Sequence, residues 1–120
     1  MHIIFGDESA TELSNKYTVL ELDSFRVGGS KDITKAYSII ENISLDQILN
    51  LDKLKHLHQD LMENYKQKKW ELCQVAIKEL RGNWGGELDS FYDELTTRIT
   101  KFIEQDPGPE WSPVLFRVSL

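Results

Sequence analysis

The chain changes its hydrophobic period once, at Ser44, and that switch limits the folds open to it. From there to Phe102, apolar residues return every three or four positions, the spacing of one helix face. Before Ser44 they come in short β-branched and aromatic runs broken by Gly and Asp, the pattern of strands and turns. A sheet-forming part followed by a helical part makes an α+β chain, not an alternating α/β one.

The helical part divides into three stripes. Leu45, Ile48, Leu49, Leu54, Leu57, Leu61, Met62 and Tyr65 form the first. Ser44 and Gln47 make a capping box at its start, and the register slips near Asn50, which predicts a break. Trp70, Cys73, Ile77 and Leu80 form the second stripe, closed by Gly82 where a helix end favours glycine. Leu88, Phe91, Tyr92, Leu95, Ile99 and Phe102 form the third, with Glu94 and Arg98 paired on its outer side. The links at 67–69 and 82–87 are short, so neighbouring helices should run up and down.

In the first third, "HIIF" at 2–5 reads as a strand closed by Gly6-Asp7. Residues 9–16 are polar, with Glu12 and Lys16 four apart, which suits one or two helical turns. "KYTVLELDSFRV" is a second strand with Tyr17, Val19, Phe25 and Val27 on one face and Leu20 and Leu22 on the other. After a loop at 28–32, residues 33–43 return antiparallel to it. "DPGPEWSP" at 106–113 cannot be helical, and "VLFRVSL" at 114–120 supplies a last strand. The expectation is one domain over 1–120. A small, mainly antiparallel N-terminal sheet (1–43) is covered by a three-helix layer (44–105). An extended tail with a C-terminal strand (106–120) follows.

Charge and cysteine content narrow the function classes. A net charge of −6 opposes binding to polyanions and to anionic membrane surfaces. The single cysteine, Cys73, allows no intramolecular disulfide. "MHIIFGDE" lacks the basic n-region and long apolar run of a signal peptide. Both features point to a cytoplasmic, reducing location, where the sequon Asn42-Ile43-Ser44 would carry no sugar.

Few residues suggest chemistry. Asp7, Glu8, Glu21, Asp23 and Glu41 gather near the sheet. Glu21 and Asp23, two apart on a strand, share a face, an arrangement that can hold a divalent cation or work as acid and base. No third ligand or basic group accompanies them at fixed spacing, so they are expected as solvated rim charges, with no metal and no cofactor. His56 and His58 are two apart on a helix and point to different sides, which is not zinc spacing. His58 is expected to be hydrogen-bonded at the core edge. Cys73 lies in an apolar stripe and is expected to act as a small hydrophobe. No catalytic residue is assigned.

Two stretches suggest binding. Lys66, Lys68 and Lys69 stand between Tyr65 and Trp70, with Lys53 and Lys55 upstream. Aromatics with lysines suit single-stranded nucleic acid, but the whole-chain charge opposes it. In "RGNWGGELDSFY", Trp84 sits among Gly82, Gly85 and Gly86. It is expected to close the apolar end between Leu80 and Leu88, with its indole N–H at the surface and Asn83 left-handed. A tryptophan standing out there would instead anchor a partner, together with Asn83 and the Lys66, Lys68 and Lys69 turn. The expected function is therefore a non-catalytic accessory or adaptor protein that binds another protein, or itself. The alternatives are a nucleic-acid-binding module on the lysine turn and a small metal-binding enzyme on Glu21 and Asp23.

"LHQDLMENYKQKKWELCQVAIKEL" resembles a single tetratricopeptide unit: Leu57, Leu61 and Tyr65 on a first helix, then Trp70, a small Cys73 and a large Ile77 on a second. Leu61 stands where that family favours glycine, no proline closes the unit, and the unit is not repeated. The resemblance implies a helical hairpin. Separately, "HIIFGDE", "YTVLELDSF", "AYSIIENI" and "WGGELDSFYDEL" are similar to small uncharacterised proteins of marine cyanobacterial tailed phages. That resemblance implies the cytoplasm of an infected bacterium and carries no activity with it.

Overall fold

The structure is a computed structural model and describes residues 2–27, 32–41 and 43–117. Most of the loop expected at 28–32, the sequon's Asn42 and the last three residues of the tail lie outside these. The chain is α+β and forms two compact units, Met1–Glu41 with Ser112–Leu120, and Asn42–Trp111.

The first unit is a four-stranded sheet. Strand β1 is His2–Phe5, helix α1 is Asp7–Leu13, and strands β2, β3 and β4 are Thr18–Val27, Thr34–Ile40 and Val114–Arg117. The order is β1-β3-β2-β4. β3 is antiparallel to both its neighbours, and β4 runs parallel to β2 with Ser24 opposite Val114. The tail thus joins the sheet over 114–117, as its apolar run predicts. α1 starts two residues earlier than expected, directly after Gly6. That glycine takes φ 95, a left-handed value, and its N–H donates to the Lys35 carbonyl at 2.9 Å.

One irregularity re-sorts the faces of β2. Glu21 pairs with Tyr37 and Ser24 with Lys35, so Leu22 and Asp23 together oppose Ala36. This is a β-bulge, and it ends the strict alternation. Phe25 now opposes Thr34, in phase with Ala36, so it lies on the face of Leu20 and Leu22 rather than with Val19. All three are buried, and the Phe25 ring meets Phe5 edge-on at 5.8 Å. Glu21 and Asp23 lose their shared face by the same bulge. Period-2 arithmetic fails here because one extra residue inverts everything after it.

Ser38 faces inward opposite Leu20, is fully buried, and its hydroxyl has no partner among the described residues. A desolvated hydroxyl without a bond is a cost, so Ser38→Ala should leave stability within about 1 kcal/mol or raise it. A urea titration showing a loss of about 2 kcal/mol or more would mean that the hydroxyl is bonded after all.

The second unit holds α2 (Leu45–Leu49), α3 (Leu51–Lys66), α4 (Trp70–Leu80), a 3₁₀ turn (Trp84–Gly86) and α5 (Asp89–Glu104). Ser44 caps α2 as the capping box predicts, its Oγ accepting from Gln47 N at 3.3 Å. The break falls on Asn50, at φ −116 and ψ 14, so α2 is a separate helix and not the first turn of a longer one. The three long helices bury Leu54, Leu61, Met62 and Tyr65, then Cys73, Ala76, Ile77 and Leu80, then Phe91, Tyr92, Leu95 and Ile99. α3 and α4 pack as a helical hairpin. Arg81, just past α4, forks onto Asp93 of α5 with bonds of 2.8 and 3.1 Å. The pair is exposed, so it fixes register more than it stabilises.

Candidate interaction surface

Trp84 is inside the helical unit and fully buried. The backbone takes a different route from the expected one. Asn83 is extended (φ −79, ψ 179), and Trp84 itself is left-handed at φ 58. Glycines on both sides, Gly82 at φ 89 and Gly85 at φ 65, carry the rest of the reversal. The indole N–H is not at the surface. It donates to Tyr92 Oη at 3.0 Å, and Tyr92 Oη lies 2.9 Å from Nδ1 of buried His58. An indole only donates, so Tyr92 accepts from it and can turn its own proton toward His58. Burying that nitrogen requires a partner, and Tyr92 on the facing helix supplies one. Asn83 is tied back to α4 through Nδ2, which donates to the Glu79 carbonyl at 2.8 Å.

The lysine turn is engaged by the chain itself. Lys68, left-handed at φ 61, donates through Nζ to the Gly108 carbonyl at 2.8 Å. Lys66 Nζ is 3.9 Å from Glu63, and Lys69 is exposed. Lys53 and Lys55 are exposed a helix-length away on α3.

The acidic residues do not converge. Among the described residues, no three His, Cys, Asp or Glu side chains form a group that could hold a metal ion. Glu21 lies 3.7 Å from Lys35 Nζ, and His2 Nδ1 meets Glu41 at 3.1 Å. The Tyr37 hydroxyl donates to the Asp7 carboxylate, binding α1 to the sheet. Burial, then that bond and the charges of Asp7 and Glu21, raise the Tyr37 hydroxyl well above its ordinary range. It therefore keeps its proton and is unsuited to act as a base.

Burial likewise pushes the Cys73 thiol up to about 11 and raises the Tyr92 hydroxyl further. In all three groups the fold prefers the protonated form. As pH rises past the ordinary values, 9.0 for Cys and 10.0 for Tyr, the unfolded chain loses these protons first. Stability present at neutral pH should then fall, by up to about 1.4 kcal/mol per pH unit for each of the fully buried Cys73 and Tyr92 in its window, and by less for the partly exposed Tyr37. Urea midpoints measured from pH 7 to 10.5 should decline above pH 9 and steepen above 10. A flat profile would contradict the burial of these groups.

The least expected feature is α2. Leu45, Ile48 and Leu49 fall at i, i+3 and i+4 and belong to the first apolar stripe, yet they are 80%, 52% and 85% exposed. α2 buries none of its residues. Its other side, Asp46, Gln47 and Asn50, lines a cleft of about 330 Å³ shared with Lys53, Leu57 and Glu79. The helix is thus turned inside out, polar side toward its own unit and apolar side to solvent. On α4, Leu72 and Val75 are also more than half exposed. The stripe was legible in the sequence; its outward orientation was not, because a capped helix after a break can take either face inward. No helix among the described residues is long and apolar enough to cross a membrane. No family model, no curated protein and no solved structure matches the chain.

Proposed function

We propose that the protein is a non-catalytic binding protein that engages another protein through the apolar face of α2. The observation that supports this reading is the exposure of Leu45, Ile48 and Leu49 on a helix held by its own cap rather than by burial. Short helices normally owe their stability to an apolar face packed against something. Three large apolar groups at i, i+3 and i+4 are the anchor spacing of a helix that enters a groove. Each anchor contributes about 1.5–3 kcal/mol when fully buried.

The test is the double variant Leu45→Glu/Leu49→Glu on the tagged chain. Its melting temperature should stay at the wild-type value, because these groups are already in water. Co-purification of a partner, or self-association in analytical ultracentrifugation, should be lost. A variant that melts much lower, or that keeps the same partners, would rule the face out as the binding site.

A further inference from the structure

We propose that Tyr65, Trp70 and Phe102 form a docking site for a proline-flanked tryptophan, and that the chain fills this site with its own Trp111. The site is separate from α2 and does not rest on the reading above. Trp70 and Phe102 stack at 5.1 Å between ring centres, and Tyr65 meets Trp70 edge-on at 5.8 Å. Trp111 stands edge-on to all three, at 5.6 Å from Tyr65, 5.4 Å from Trp70 and 5.5 Å from Phe102.

The segment that delivers Trp111 has no regular secondary structure from 106 to 111 beyond a turn. It is held as a turn: Gly108 N donates to Asp106 Oδ1 at 2.8 Å and Trp111 N to Gly108 O at 3.3 Å, with Gly108 left-handed at φ 88 and Pro109 at the first central position. The body holds its backbone through Lys68, whose Nζ reaches the Gly108 carbonyl three residues before the tryptophan. An aromatic platform, a proline-bearing turn seated on it and a polar side chain gripping one of the turn's carbonyls are the parts of a site for a peptide that turns at proline. Two details set it apart from ordinary core. Trp70, Phe102 and Trp111 are only half-buried. Lys68 occupies a left-handed position that glycine or asparagine would fill with less strain, yet its side chain is the one that grips the segment.

The ligand class follows: a peptide that turns at a proline placed two positions before tryptophan, as in Pro109-Glu110-Trp111. A tethered segment has a millimolar or higher effective concentration, so in the intact chain it outcompetes a weak external peptide.

The test uses the full chain with Trp111→Ala and a fluorescein-labelled peptide of residues 105–113. Binding to this variant should be saturable by about 1 mM, and at least about tenfold weaker to the wild type, whose site is filled. A peptide with alanine in place of its tryptophan should not bind. Trp111→Leu provides a second route if Trp111→Ala does not fold: it keeps an apolar group on the platform but makes the tethered segment a weaker competitor, so peptide binding should rise above wild type. Absence of binding to the folded Trp111→Ala chain, equal binding to the wild type, binding of the alanine peptide, or no rise with a folded Trp111→Leu chain would each overturn the proposal.

Discussion

Trp84→Ala is expected to lower the unfolding free energy by about 3–5 kcal/mol, the range for deleting a buried aromatic. Two effects add. The indole is fully buried, so its removal leaves a cavity that the facing helices close only in part. Tyr92 Oη also loses the donor it accepts from inside the unit. The backbone supplies a sharper signature. Trp84 is left-handed at φ 58, where any Cβ is strained, so alanine inherits the strain and glycine does not. Trp84→Gly should therefore be no worse than Trp84→Ala, and better by up to about 1 kcal/mol, reversing the usual order of those residues. Denaturant titrations of both variants decide this. A loss under about 1 kcal/mol for alanine would place the indole outside the core.

Much of this could be expected from the residues. The capping box at Ser44, the break at Asn50, the stripes of α3, α4 and α5 and the strand after the proline-rich segment all follow from local pattern. What could not be expected shares one physical cause: a local pattern says that a face is apolar, not where it points. The bulge at Leu22-Asp23 reverses the later half of β2 with one residue that has no sequence signature. α2 has the composition of a core helix and presents it to solvent. Trp84 was legible as a plug, but its hydrogen bond to Tyr92 spans a turn whose left-handed residue turned out to be the tryptophan, not Asn83. The lysines at 66–69 carry a local pattern that suits a polyanion, which the whole-chain charge opposes, and solvated lysines are the plainer expectation. The carbonyl that Lys68 meets is 40 residues further along the chain, beyond any local pattern.

Ending the chain at Gln105 is the other large expected loss, at least about 4 kcal/mol, a big share of the stability a domain of this size has. The helical unit would lose Trp111, uncovering faces of Tyr65, Trp70 and Phe102, and Lys68 would lose the Gly108 carbonyl. The sheet would lose β4, turning Ser24 to Val27 of β2 into an open edge with unpaired backbone groups. These losses fall in different units and share no side chain, so they should add. Trp111→Ala alone isolates the first part; the difference from the shortened chain measures the strand. The strand is short and parallel, the weaker kind of ladder, so the aromatic part should be the larger. The edge should show itself in another way: an unpaired β2 is a template for other chains, and the shortened protein should aggregate on heating while Trp111→Ala unfolds reversibly. A shortened chain that melts at the wild-type temperature and stays monomeric would mean that residues 106–117 anchor neither unit.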